Sequence, residues 1–360
     1  MNRPAAYDLG FADWQTWLAR QGSPAFRARQ IWHALYRELR TDATQITTLP
    51  ATLRQALADE FAWDTVRVDG TQESQDTRTC KALLRLADHE TVEAVLMRYA
   101  ERNTVCVSTQ VGCAMGCAFC ATGQGGFTRN LTRGEIVAQV LWAARRVREM
   151  GEHTARGPAA RLTNVVYMGM GEPFANYEET LSSLRRLNDP EGFGLGARSF
   201  TVSTVGIIPG IDRFSQEDIQ ANLAVSLHAA VDTTRDRLVP ANRTYPVDDL
   251  LAACRRYIER THRRVTFEIA LISGINDDEE HAKAVAGRLR GMLCHVNVIP
   301  LNAVPDARWA PSSRERVDGF AQHLEDAGIP TTVRHSMGSE IQAGCGQLRR
   351  RGGDQTSVGQ

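Results

Sequence analysis

Three cysteines stand within one short stretch, Cys113-Ala-Met-Gly-Cys117-Ala-Phe-Cys120. Thiolates so close in sequence converge only where the backbone curls into a loop, and Gly112 and Gly116 supply the freedom to curl. Three ligands hold a metal or cluster that prefers four incompletely. That points either to a distant fourth cysteine or to a position kept open for something else. A zinc ribbon would need Cys106 as its fourth ligand, and zinc sites usually pair cysteines as two CxxC knuckles, of which the second is missing. Phe119 gives the loop an apolar cover, and limited water is one lever on the potential of an iron–sulfur cluster. The spacing favours a [4Fe–4S] cluster with one iron free to bind a small molecule.

A loop of this kind has to be carried by a rigid frame. After Asn103 short apolar runs alternate with helical stretches. The expected strands are Thr104–Ser108, Asn164–Met168, Ser199–Ser203, Asn222–Leu227, Val265–Leu271 and His295–Ile299, with a closing segment Thr331–Arg334. Helices are expected at Thr132–Met150, Tyr177–Leu187, Val247–Arg260, Asp278–Gly291 and Ser313–Ala327. Such repetition implies an α/β fold, a parallel sheet with crossover helices rolled into a partial barrel. In such folds chemistry gathers at the C-terminal ends of the strands. Those ends carry the cysteine loop, Gly169-Met-Gly-Glu-Pro173, Ser203-Thr-Val-Gly206, Ser226-Leu-His228 and Asn302, with Glu268 inside the fifth strand. Polar and glycine residues recurring at equivalent ends are what a ligand site requires.

The rest of the chain reads as additions to this frame. Residues 1–63 form a helical accessory domain, with helices at Phe11–Ala19, Phe26–Leu39 and Ala51–Phe61 and with Trp14, Trp32, Tyr36 and Trp63 as core residues. Residues 64–102 alternate with period two and read as a small joining sheet in which Glu93 interrupts an apolar strand. The barrel spans 103–336, and 337–360 is a C-terminal loop and polar tail. In all, 42% of residues are hydrophobic, enough to bury a large core, yet no apolar run approaches the ~20 residues that span a bilayer. The N-terminus lacks the pattern of a secretory signal, which places the protein in the cytoplasm. There, eight cysteines mean metal, cluster or catalysis rather than a disulfide framework. The 42 basic and 42 acidic residues cancel, so net charge gives no support to nucleic-acid binding. Lys81 and Lys283 are the only lysines. Candidate phosphate contacts are Arg145, Arg146 and Arg148, the run Arg255, Arg256, Arg260, Arg263 and Arg264, and Arg349 to Arg351, each of which could equally be a solvated face or tail.

CxxxCxxC at the top of the first barrel strand, together with Met168-Gly-Met-Gly-Glu-Pro173, resembles the radical S-adenosylmethionine (SAM) superfamily. A narrower resemblance, over most of the chain, is to the RlmN/Cfr family of RNA-adenine methyltransferases. It rests on Cys106-Val-Ser-Thr-Gln-Val-Gly-Cys113, Cys120-Ala-Thr-Gly, Thr128-Arg-Asn-Leu-Thr132, Val225-Ser-Leu-His228 and Ala343-Gly-Cys-Gly-Gln-Leu348. The resemblance implies one [4Fe–4S] cluster on Cys113, Cys117 and Cys120. It implies a SAM site formed by Gly171, Glu172, Ser203, Ser226, Leu227, His228 and Asn302. It makes Cys345 the methyl carrier, Cys106 the thiol that resolves the protein–RNA adduct through a transient disulfide, and Glu93 the proton acceptor. Two SAM molecules are consumed per turnover. The expected partners are 23S rRNA, tRNA and an electron donor such as flavodoxin or ferredoxin, and the expected state is a monomer. Cys80, Cys254 and Cys294 read as structural. Glu172-Pro173, Thr128-Arg-Asn130 and Ile299-Pro-Leu-Asn302 favour RlmN-type methylation of adenine C2. Met337-Gly338 stands where RlmN proteins carry Arg-Gly and is closer to the Phe-Gly of Cfr, which methylates C8, and Gly344 replaces an alanine usual in both groups.

Overall fold

The computed structural model describes residues 3–151, 161–302, 309–334 and 336–349. Arg350, Arg351 and the polar tail lie outside them. The chain opens with α1 (Phe11–Arg20), α2 (Arg27–Tyr36) and α3 (Ala51–Glu60). Asp13 accepts a hydrogen bond from Gly10 N at 2.7 Å and so caps α1. Trp14, Trp17 and Leu18 then fall on its buried stripe. Trp14 packs edge-on against Trp17 and Phe61, so these aromatics are core residues, as expected. The helices dock on the barrel through Arg186, which lies over the Trp32 ring at 4.7 Å, and through a Trp32–Asp189 hydrogen bond of 3.0 Å.

The strands β1 (Arg67–Glu73), β2 (Thr79–Arg85) and β3 (Thr91–Arg98) run antiparallel. Next come β4 (Asn103–Cys106), β5 (Gln110–Gly112), α4 (Ala121–Gln124), β6 (Phe127–Asn130), α5 (Arg133–Gly151), β7 (Asn164–Tyr167) and α6 (Tyr177–Asn188). The chain goes on through β8 (Phe200–Thr204), α7 (Ile208–Phe214), β9 (Asn222–Ser226), α8 (Asp232–Leu238), α9 (Val247–Thr261) and β10 (Val265–Leu271). It ends with α10 (Glu279–Leu289), β11 (Cys294–Pro300), α11 (Arg314–Asp326) and β12 (Thr331–Val333). Among the described residues, ten strands form one sheet in the order β1-β2-β3-β4-β7-β8-β9-β10-β11-β12, parallel from β4 onward. This is the expected partial α/β barrel, and the small β extension expected at 64–102 is β1–β3, which continues the barrel sheet because β3 pairs with β4. One element was not expected: β5 and β6 make a small hairpin around the cysteine loop that is too short to announce itself by periodicity.

Register determines which side chains share a face, since paired residues and alternate residues point the same way. Val95 pairs with Cys106 and Cys106 with Val166, while Glu93 lies two residues from Val95. Ser226 pairs with Glu268, and Glu268 with Asn297. The polar residues singled out in the sequence therefore point to one face of the sheet, away from the crossover helices.

Candidate active site

The cysteine loop is shaped by glycine. Gly112 has φ +76°, and a Cβ there would lie 2.0 Å from the Gly126 carbonyl, so no other residue fits the turn. Cys113 N donates to that same carbonyl at 2.8 Å. Gly116 has φ +63°. Cys113, Cys117 and Cys120 all face one cavity of about 990 Å³, walled on the opposite side by the ends of β7 to β11. Burial pushes the Cys113 thiol up to about 11. Cys117 is pushed higher still, first by burial and then by the charges of Cys120 and Cys113.

Gly171 and Glu172 follow β7. Gly171 has φ +102°, and a Cβ would meet the Gln110 side chain at 2.6 Å. Its glycine therefore serves a close approach to Gln110, whose Oε1 accepts from Glu172 N at 2.9 Å. Glu172 is buried and accepts from Phe174 N at 3.0 Å and from Val205 N at 2.8 Å. Burial pushes its carboxyl up to about 7, and those backbone donors only partly oppose it. Ser203 and Ser226 line the cavity, as does His228, whose ring stands edge-on to Phe119 with centroids 4.7 Å apart. Burial holds His228 down at about 3, so its ring is neutral. Nδ1 accepts from Ala270 N at 3.1 Å, which leaves the proton on Nε2. Leu227 is fully buried and does not line the cavity, so it can serve a ligand only through its backbone. Asn302 lines it and donates to the Cys345 carbonyl at 3.0 Å and to Ser336 Oγ at 2.8 Å.

Behind this wall stands one residue that the sequence did not mark, Arg235, and within it Glu268, which the sequence placed among the polar residues of the ligand site. Arg235 is fully buried in α8 and donates to the carbonyls of Leu227 at 2.9 Å and Val205 at 2.6 Å, tying the ends of β8 and β9 together. Nothing in its local sequence separates it from a surface arginine. Glu268 accepts from Asn297 at 2.9 Å and faces Arg334 at 3.8 Å. Among the described residues its other oxygen is buried without a hydrogen-bond partner.

Cys345 is solvent-exposed and lines this cavity together with a second recess of about 760 Å³, where it is joined by Cys106, Arg334 and Met337. Cys106 is buried; burial, reinforced by the charge of Cys345, pushes its thiol up to about 12. Glu93 is 1% exposed, so it points inward. Its Oε1 lies 3.2 Å from Lys81 Nζ, and its Oε2 accepts from Arg349 N at 3.0 Å. Cys80, Cys254 and Cys294 are buried away from both recesses. Several arginines read as possible phosphate contacts are engaged within the chain. Arg146 pairs with Glu73 at 2.6 Å, Arg256 with Asp212 at 2.8 Å, and Arg148 donates to Arg37 O at 2.9 Å.

The donor chemistry of the cavity fits an iron–sulfur cluster and SAM. Three soft thiols converge on one space, and the two that burial raises are made costlier still to ionise by their neighbours, which a cationic iron core relieves. Among the described residues no three His, Cys, Asp or Glu side chains are grouped closely enough to hold a single metal ion. Among the described residues Glu172 pairs with no arginine or lysine, and Glu268 keeps a buried acceptor free; both suit a ligand that brings its own donors.

The Radical SAM superfamily profile matches residues 107–285. The crystal structure of a radical SAM methyltransferase from Sphaerobacter thermophilus superposes with a TM-score of 0.92 at 52% identity, covering 96% of this chain and 99% of that one. Fold and site thus define a radical SAM enzyme with a [4Fe–4S] cluster and SAM as its cofactors. A probable dual-specificity RNA methyltransferase RlmN of Chloroflexus aurantiacus is 50% identical over 98% of this chain and 94% of its own length. One of Staphylococcus aureus is 45% identical over 97% and 94%. The chain belongs to the RlmN family of radical SAM methyltransferases.

Proposed function

We propose that the protein methylates C2 of an adenosine in 23S rRNA at the peptidyl-transferase centre, and of an adenosine beside the tRNA anticodon. It acts as a cytoplasmic monomer served by a flavodoxin- or ferredoxin-like electron donor. The observation that carries the reading is the position of Cys345. It borders both the cavity of Cys113, Cys117, Cys120 and Glu172 and the recess of Cys106. A thiol that must collect a methyl group on one side and be resolved on the other needs that double access.

Cys113, Cys117 and Cys120 would hold the cluster. Glu172 offers its carboxylate to the SAM ammonium, Ser203, Ser226, the Leu227 backbone and Asn302 offer polar contacts around it, and His228 offers Nε2–H. When bound, the cluster supplies the electron that cleaves SAM reductively. Cys345 Sγ takes a methyl group from a first SAM by displacement. A hydrogen atom of that S-methyl group would end on the 5′-deoxyadenosine formed from a second SAM, and the methylene left on Cys345 Sγ would bond to the adenine carbon and join protein to RNA, with the one surplus electron returning to the cluster. Glu93 accepts the proton lost from that carbon. Cys106 Sγ then attacks Cys345 Sγ, the bond from Cys345 Sγ to the methylene carbon breaks, and that carbon takes up a proton to become the methyl group, which leaves the disulfide on the protein and frees the methylated RNA. Helices α1–α3 would add RNA contacts.

The test is a pair of variants in the cluster-loaded enzyme with rRNA and tRNA fragments. Cys345→Ala should abolish methyl transfer, and Cys106→Ala should leave protein covalently bound to RNA. Adduct-free, fully active Cys106→Ala enzyme would sink the resolving role. One observation favours a second reading, methylation at C8: Met337 lines the recess at the position where RlmN proteins carry arginine. Nucleoside mass spectrometry separates 2-methyl- from 8-methyladenosine, and 8-methyladenosine alone would overturn the C2 assignment.

A further inference from the structure

Lys81 lies on β2, 3% exposed, in a chain whose positive charge is otherwise almost entirely arginine. Its Nζ reaches Glu93 Oε1 at 3.2 Å and also donates to the Gln342 carbonyl at 3.2 Å. A compact ammonium with three donors can serve two acceptors from a single point, which a planar guanidinium cannot do in the same space. Glu93 in turn holds Arg349 N with its other oxygen, at 3.0 Å. Gln342 precedes Cys345 and Arg349 follows it, so one buried ion pair grips both stems of the loop that carries the reactive thiol. Within the loop, Ala121 N donates to the Gly346 carbonyl at 2.8 Å, and Gly344 N to Gln347 Oε1 at 2.9 Å. Carrying Cys345 away from its present place has to stretch these bonds and at least one of the two stems.

We propose that Lys81 is a positioning residue that clamps the Cys345 loop through Glu93 and Gln342, so that release of the loop and release of the Glu93 carboxylate are one event. The carboxylate is engaged while the loop is seated and becomes available when Arg349 withdraws. The second half of this statement rests on the reading of Glu93 as the proton acceptor; the clamp itself does not.

Hydrogen exchange of the cluster-loaded, full-length protein reads the clamp without turnover. In Lys81→Met, peptides covering 339–349 should exchange about tenfold faster or more, with those of β10 and β11 unchanged. In Lys81→Arg the increase should be only partly suppressed, because the charge is kept and the geometry is not. Unchanged exchange of 339–349 in Lys81→Met overturns the clamp. Where Lys81→Met does not fold, the double variant Lys81→Met/Glu93→Gln removes the unpaired charge. Its exchange should then rise on the Gln342 side and stay slow at Arg349, because the substituted amide still offers an acceptor oxygen to Arg349 N. No rise on either side overturns the proposal.

Single-turnover RNA methylation reads the coupling. Glu93→Gln should take up methyl on Cys345 and then accumulate the protein–RNA adduct, whereas Lys81→Met, whose carboxylate is already released, should clear the adduct at least as fast as the wild type. Fast exchange with a trapped adduct in Lys81→Met, as in Glu93→Gln, overturns the coupling. Prompt decay in Glu93→Gln overturns the proton-acceptor reading instead, and leaves the clamp to stand on exchange alone.

Discussion

Glu172 and Glu93 are both almost wholly buried, at 2% and 1% exposure, yet they meet the cost of desolvation in opposite ways. Glu93 has a cation built into the neighbouring strand, Lys81, and spends its second oxygen on a backbone N–H from the Cys345 loop. Glu172 is held by backbone N–H groups from its own turn and from the end of β8, together with the Thr204 hydroxyl, and burial pushes it up to about 7. The first carboxylate is complete within the protein; the second is complete only when a ligand brings positive charge. This difference separates a group that orders the protein from one that awaits a substrate, although the two are alike in burial.

The largest expected effect lies on the Glu93 side. Removing one partner of a buried ion pair leaves an uncompensated charge and costs about 3–5 kcal/mol. Denaturation of Lys81→Met should show a loss of that size, and Lys81→Met/Glu93→Gln should recover most of it. A double variant as unstable as the single one would break the comparison, because the charge would then not be what Lys81 answers.

Glu172 should instead reveal itself through pH. Its rise from the ordinary 4.5 to about 7 corresponds to about 3 kcal/mol. The folded value lies above the unfolded one. The associated stability is therefore fully present below about pH 4.5 and is lost as pH rises through about 7. Between pH 5 and 8 the cofactor-free wild type should lose stability relative to Glu172→Gln, which has no charge to bury. A difference that does not vary with pH would mean that Glu172 already has a counter-charge. The same variant should weaken binding of S-adenosylhomocysteine, which keeps the amino group, by roughly tenfold to hundredfold, the range for a lost charge-assisted bond. Lys81→Met should leave that affinity nearly unaltered.

The sequence carried the Glu172 side more fully than the Glu93 side, and the reason is distance along the chain. The cysteine loop with its glycines, Glu172 and the serines at strand ends are local patterns, legible because alternation locates each strand and turn. The clamp joins Lys81 to Gln342 and Glu93 to Arg349 across 261 and 256 residues, and no local pattern announces such a pairing. Residue pattern alone left the orientation of Glu93 open, and only the resemblance pointed it inward. Arg235 shows the same limit, since it reads as a surface helix residue and is fully buried beneath two strand ends. Gly171 was marked as part of the SAM site, but the neighbour that requires a glycine there is Gln110 from the adjoining hairpin.

An exposed ion pair marks the lower end of the same scale. Arg256 grips both oxygens of Asp212 at 2.9 and 2.8 Å, a geometry better than that of Lys81 and Glu93, yet the two side chains are 52% and 39% exposed. Water already solvates both partners, so the pair returns little beyond what it costs to order two side chains. Arg256→Ala should change stability by less than about 1 kcal/mol, and the change should shrink further in high salt. A loss as large as that of Lys81→Met would show that geometry, and not burial, sets the worth of these pairs. The contrast between Glu93 and Glu172 would then have to be argued from bond count instead.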